Sequence, residues 1–190
     1  METINSITQV LKNSLSDHEK QILLYQAKDF IKFFGDGSEG QKETPARMVK
    51  VWEELLTAQE PKITIFESNG YDQMIIDNDI PYFTFCEHHV VPFFGKVKIG
   101  YIPDKHIVGL SKLARVVNYF SKRLNTQEYF TQNIANYLQE KLKPLGVGVV
   151  VTGRHLCREM RGARTNGEMT TSALLGAFRK QEVREEFIAL

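Results

Sequence analysis

The chain has 190 residues, 42% hydrophobic and 25% charged, with a formal net charge of +1. That suits one globular domain with a small helical appendage and excludes disorder along the whole length. The near-zero charge gives no bulk field for nucleic acid or an acidic membrane, and no apolar run reaches membrane-spanning length. The opening METINSITQV lacks the basic and apolar blocks of a secretory signal. A cytoplasmic protein is expected, with neither nucleic acid nor membrane as partner.

In chain order, SDHE at Ser16 to Glu19 has the form of a capping box, with serine as N-cap and glutamate three positions on. KQILLYQAKDFIKFF then predicts a helix that Gly35 ends. GDGSEGQKE is a connector, and Thr44-Pro45 opens a second helix whose apolar stripe is Met48, Val51, Trp52 and Leu55. Residues 1–60 thus form an N-terminal helical region. The texture changes after Pro61, and residues 61–190 read as a second, catalytic domain.

KITIF predicts a short strand and SNG a turn. MII and YFTF predict separate strand pieces on either side of the turn-prone DNDIP. In GKVKIGYIP, Val97, Ile99 and Tyr101 alternate with Lys96, Lys98 and Gly100, the pattern of a half-buried strand. Ser111 is placed to cap a helix with an inner face of Val116, Val117 and Phe120. A second helix follows Thr126 and uses Phe130, Ile134, Tyr137 and Leu138; Pro144 and Gly146 break it. VGVVVTG is a continuously buried strand, and TTSALLGAF fits a strand or a short buried helix equally. Helices, strands, two helices and strands again make an α+β fold with an antiparallel sheet covered on one face by the two central helices.

The reactive residues gather in two places. FTFCEHHVVPFFG holds one of two cysteines and two of five histidines; RHLC holds the second cysteine and another histidine. Cys86 and His89 have the spacing of a Cys-x-x-His half-site, and His155 and Cys157 would share a face on an extended segment. One Zn2+ bound by Cys86, His89 and Cys157 would keep a position for water, with His88 and His155 beside it as proton carriers at neutral pH. The spacing also admits a closed structural zinc site, or two buried cysteines with hydrogen-bonded histidines nearby.

Lys112 and Arg115 lie three apart at the front of a helix, where exposed N–H groups also favour an anion. Arg161 follows the second cluster, and Arg47 and Lys50 sit three apart on the earlier helix. Each pair is equally readable as a solvated face. No P-loop is present, so side chains would have to hold any triphosphate. Glu128 suits the dipole of the helix it opens, and also the paired N–H donors of a purine edge.

Together FCEHHVVPFFGK, GYIPDKHIVGLSKLARVVNYFSKRLNTQE and GRHLCREMRG resemble the GTP cyclohydrolase I family, with TPARMVKVW and TTSALLGAF similar to its helical and closing motifs. The resemblance covers roughly residues 44–187. It implies zinc on Cys86, His89 and Cys157, active-site histidines His88 and His155, and a serine near the ribose at Ser111. It implies phosphate contacts from Lys112, Arg115 and Arg161, helped by Lys50 and Arg47. Glu128 would hold the guanine, with Gln127 beside it orienting the nucleoside. The implied reaction is hydrolytic opening of the guanine imidazole ring of GTP at C8, release of formate, and closure to 7,8-dihydroneopterin triphosphate. The implied architecture is the tunnelling fold, with pentameric rings stacked as a homodecamer and active sites between subunits. Alternatives are a nicotinamide-dependent nitrile reductase of the same fold and a non-enzymatic module with structural zinc. A nucleoside deaminase would need a Pro-Cys-x-x-Cys element that the chain lacks.

Overall fold

The computed structural model describes residues 12–190, so METINSITQV lies outside the described residues. The chain divides into two compact units between Gln59 and Glu60.

The first unit is a helix pair. Helix α1 (Asp17–Phe34) begins with the reciprocal cap that SDHE predicts: Ser16 Oγ accepts from the Glu19 N–H, and the Glu19 carboxylate accepts from the Ser16 N–H. Gly35 ends it in extended backbone, donating its N–H to the Ile31 carbonyl. A 3-10 turn (Glu39–Gln41) follows, and α2 (Thr44–Leu56) carries Pro45 in its first turn, where the missing N–H breaks no helical bond. Its buried residues are Pro45 and Val49; Val51, expected on the apolar stripe, is 46% exposed. The inner stripe runs instead through positions 45, 48, 49 and 52, the i, i+3, i+4, i+7 pattern of one helix face. Lys20 and Glu53 join the two helices at 2.9 Å, and that partner holds the Glu53 carboxyl below its ordinary pKa.

In the second unit, β1 (Ile65–Glu67) pairs antiparallel with β4 (His106–Val108) as a small separate sheet. SNG forms the expected turn, with Asn69 and Gly70 both at positive φ. β2 (Ile75–Cys86) is one strand, where the sequence suggests two pieces. The register against β3 (Pro92–Ile102) slips by one residue between Asp77 and Ile80, with Asp79 at φ 60°. A β-bulge therefore absorbs the turn-prone DNDIP without breaking the strand.

The main sheet also contains β5 (Leu124–Asn125), β6 (Gly146–His155) and β7 (Glu168–Gly176), in the order β5-β2-β3-β6-β7. Every pair is antiparallel except β2 with β5, a two-residue parallel fragment that makes the sheet mixed. TTSALLGAF therefore contributes to a strand, followed by a 3-10 turn at Ala177–Arg179. Helix α3 (Ser111–Ser121) packs on β2, and α4 (Gln127–Leu142) on β6 and β7. Two hairpins joined by two helices on one face are the tunnelling-fold arrangement.

Alternation places Val97, Ile99 and Tyr101 of β3 against Val116, Val117, Phe130, Ile134 and Leu138 of the two helices, all buried. Ser111 does not cap α3. The N-cap is Leu110, no side chain accepts from the first turn, and Ser111 is exposed as the first helical residue. Thr126 does cap α4, accepting from the Tyr129 N–H at 3.3 Å.

Helix α6 (Gln181–Ala189) has no counterpart among the predicted elements. Phe187 of this helix and Phe178 of the preceding 3-10 turn meet edge to face and are fully buried. They fill space that glycines leave on β3 and β6: a Cβ at Gly100 would lie 2.7 Å from Phe187, and one at Gly148 would overlap Phe178. We expect Phe187→Ala to cost about 3–5 kcal/mol, measured as a lower midpoint of chemical unfolding. An unchanged midpoint would show that α6 adds nothing to the core.

Candidate metal centre

Cys86 is the last residue of β2, and the chain returns into β3 within a few residues. Two backbone bonds fix that return: Cys86 N–H to Val91 O at 3.0 Å, and Val90 N–H to Cys86 O at 2.8 Å. Val90 sits at φ 53°, a region that costs a β-branched residue about 1–2 kcal/mol. The turn brings His89 Nδ1 within 3.7 Å of Cys86 Sγ. His88 Nδ1 comes as near, at 3.6 Å.

The third donor arrives from β6. Its final residue, His155, pairs with Phe93 of β3, and the chain then coils into the short helix α5 (Leu156–Glu159). His155 and Cys157 therefore do not share a face of one extended segment, as the sequence alone suggests; a strand-to-helix turn carries Cys157 to the site. Among the described residues, one group of three or more potential metal donors converges: Cys86, His89 and Cys157, with all ligand atoms within 4.8 Å of one another. His88 stands outside this group.

The geometry fits zinc. Zn–S of about 2.3 Å and Zn–N of about 2.0 Å at tetrahedral angles put sulfur and nitrogen about 3.5 Å apart, close to the 3.7 Å between Cys86 and His89. Two thiolates and an imidazole suit the ion's borderline softness, and the three residues form a zinc site. Both cysteines are free. Burial, then the neighbouring Cys86 sulfur, raises the Cys157 pKa, while Arg161 acts in the opposite direction. Arg161 therefore lies within electrostatic reach of the centre.

His155 is tightly placed. Its ring stacks on Phe93 with centroids 4.4 Å apart and planes 7° from parallel, and its Nε2 lies 2.8 Å from Gln127 Oε1. Burial first, and then Arg158, lower its pKa, against opposing effects of Glu128 and Glu159. The ring is therefore held toward its neutral form, and Glu128 of the first turn of α4 reaches it electrostatically. Gln127 is 1% exposed, with its side chain turned toward β6 and β7. Lys112 and Arg115 occupy the first turns of α3, half-buried and exposed respectively. Arg47 and Lys50 are exposed on α2 in the first unit.

Asn125 and Thr84 are not among the residues that the motifs single out. The buried Asn125 amide donates to Thr84 Oγ1 at 2.8 Å and to the Phe120 carbonyl at 3.0 Å. The Asn125 backbone carbonyl accepts from the Glu87 N–H at 3.0 Å. Through these bonds β5 ties the turn carrying the histidines to the start of α4. The only sequence signal is an asparagine just before a capping threonine.

Two hairpin ends supplying a thiolate–imidazole–thiolate zinc site, with a half-buried histidine at its border, define a tunnelling-fold metalloprotein. The family model described as GTP cyclohydrolase I matches residues 25–190. GTP cyclohydrolase 1 of Sulfurihydrogenibium sp. is 50% identical over 155 residues, 80% of this chain and 83% of that protein. GTP cyclohydrolase 1 of Aquifex aeolicus is 49% identical, with 80% and 84% covered. That of Hydrogenobaculum sp. is 44% identical over 90% of this chain and 97% of its own. The chain belongs to the GTP cyclohydrolase I family.

We expect Cys157→Ala to lose zinc on dialysis, measured by plasma mass spectrometry, and His155→Ala to keep it. Loss of metal from His155→Ala alone would overturn the ligand set.

Proposed function

We propose that this protein is a GTP cyclohydrolase I, which opens the guanine imidazole ring of GTP by hydrolysis, releases C8 as formate and forms 7,8-dihydroneopterin triphosphate. The observation that carries this reading is the convergence of Cys86, His89 and Cys157 beside the half-buried His155, in a chain of this family. The three donors hold zinc, which when bound supplies the Lewis acidity that makes water a nucleophile near neutral pH.

The chain's own residues then divide the work. His155, held toward neutrality and stacked on Phe93, is a proton carrier for the guanine ring. His88, exposed on the same turn as the zinc ligands, is the second carrier. Glu128 accepts the paired N–H donors of guanine. Lys112, Arg115 and Arg161 hold the triphosphate, with Lys50 and Arg47 contributing from the N-terminal helical region, residues 1–60. These cations form no bonds to reacting atoms; their binding energy orients C8 for attack. Ser111, exposed at the start of α3, assists proton movement as the opened ribose rearranges to a ketose. The freed amine closes on that ketone to make the dihydropterin ring. Residues 61–190 form the catalytic domain.

The sheet edges support assembly with further copies. Among the described residues β7 pairs only with β6, and β2 meets β5 at two positions only. Such edges favour pairing with further copies. The reading is a ring of five subunits, two rings to a decamer, with active sites between subunits. Free thiols at the zinc site accord with a reducing, cytoplasmic setting. Among the described residues no helix is long and apolar enough to cross a membrane.

The test is direct. Zinc-loaded protein is expected to convert GTP to formate and a dihydropterin that fluoresces after oxidation. A folded, zinc-loaded oligomer that releases no formate would identify the zinc as structural. Lys112→Ala should weaken GTP binding by about 1.5–3 kcal/mol and guanosine binding far less, measured by calorimetry. Equal losses would remove Lys112 from the phosphate site.

A further inference from the structure

Gln127 is the first residue of α4, yet its side chain is buried and every polar atom in it has a partner. Its Nε2 lies 3.1 Å from the Val151 carbonyl, 2.9 Å from the Met169 carbonyl and 3.2 Å from Thr171 Oγ1. Carbonyl oxygens only accept, so the group facing them is the amide NH2. The threonine points the same way. Thr131 Oγ1 donates to the Gln127 carbonyl at 2.7 Å, and its oxygen lies 2.6 Å from Thr171 Oγ1. With the Thr131 proton committed, Thr171 must donate to Thr131, and its own lone pair accepts from Gln127.

Three acceptors on β6 and β7 therefore fix the orientation of one amide. The opposite orientation would set the amide oxygen against two carbonyls in a buried site and leave donors unmatched. What remains is Oε1, 2.8 Å from His155 Nε2. An amide oxygen only accepts, so His155 Nε2 must carry the hydrogen. Gly153 gives the amide this room: a Cβ there would lie 2.9 Å from Gln127 Oε1 and overlap the Tyr82 hydroxyl.

We propose that Gln127 is a positioning residue that sets the tautomer of His155, holding the proton on Nε2 so that Nδ1 is the ring's proton acceptor. Phe93 holds one ring face and Gln127 one ring edge, and together they leave Nδ1 as the nitrogen that exchanges protons with substrate or water. This rests on the cyclohydrolase reading for its catalytic meaning, and replaces the expectation that Gln127 touches the nucleoside. The device is a histidine whose second nitrogen is committed to a fixed neighbour.

The test has two arms. In the first, magic-angle-spinning 15N spectra of histidine-labelled, zinc-loaded wild-type protein are recorded at mildly alkaline pH and assigned with His155→Ala. We expect a protonated Nε2 and a bare Nδ1; a protonated Nδ1 with a bare Nε2 overturns the proposal. In the second, Gln127→Met keeps the length of the side chain and removes the acceptor. We expect kcat to fall about 10–100-fold, with KM for GTP and bound zinc at the wild-type level. Gln127→Glu, held protonated between the carbonyls, keeps an acceptor toward His155 and should recover most of that kcat. If Gln127→Glu is no better than Gln127→Met, the donors to β6 and β7 matter and the role is structural. A rise in KM at constant kcat would return Gln127 to the substrate. If Gln127→Met fails to fold, the spectra of the wild-type protein still decide the tautomer. A wild-type protein that makes no formate would sink the cyclohydrolase reading, while the spectra would still decide the tautomer on their own.

Discussion

The register between β3 and β6 is the constraint on which everything else depends. Phe93 pairs with His155, and the ladder runs unbroken from there to Ile102 and Gly146. That alignment brings the end of β6 to the turn between β2 and β3, so two segments far apart in sequence meet at one point. Side chains alternate along a strand, so a slip of one residue would turn His155 to the opposite face and carry Cys157 away from Cys86. The register is itself pinned by the core, because the same slip would expose Val147, Val149 and Val151, all fully buried. The stability of the sheet and the chemistry of its end are thus set by one alignment.

The buried face is not uniformly apolar. Gln127, Thr131 and Thr171 form a closed polar patch beneath the active histidine, with every hydrogen directed. Such a patch is tolerable because it is satisfied, and its value lies in specificity of orientation more than in stability. Among the described residues the Tyr82 hydroxyl beside it has no hydrogen-bond partner, and its burial pushes its pKa up. An aromatic body fills the core there, and the phenol stays neutral.

Much of this was legible in the sequence where a local rule and the tertiary structure agree. The Ser16 cap, the helix start after Thr126, the alternation of Val97, Ile99 and Tyr101, and the VGVVVTG strand all follow from rules spanning a few residues; the burial of that strand is interrupted at Val150 and Thr152. The metal ligands were legible because cysteine and histidine are scarce and their spacing is restrictive. What failed was set from outside the segment concerned. β5 has two residues and exists only because β2 lies beside it. α6 has one fully buried side chain, Phe187, too few for a periodic signal. Val51 obeys a helical spacing with Met48 and Leu55, but the packing of the helix pair selects the adjacent stripe through Val49. DNDIP carries turn residues that a bulge uses without ending the strand. The partners of the Gln127 side chain lie on β6 and β7, more than twenty residues away in sequence, so no local rule could show them.

The strained turn at Val90 has a consequence for metal capture. Its shape is held by the main chain, through the Cys86 and Val90 amides, and by Asn125 from outside. Folding, not the ion, therefore meets the conformational cost of bringing Cys86 and His89 together. Small zinc-dependent domains differ: their chains order only when the ion arrives. Here the donors are preorganised, so chelation should empty the centre and leave the surrounding sheet intact, ready to reload.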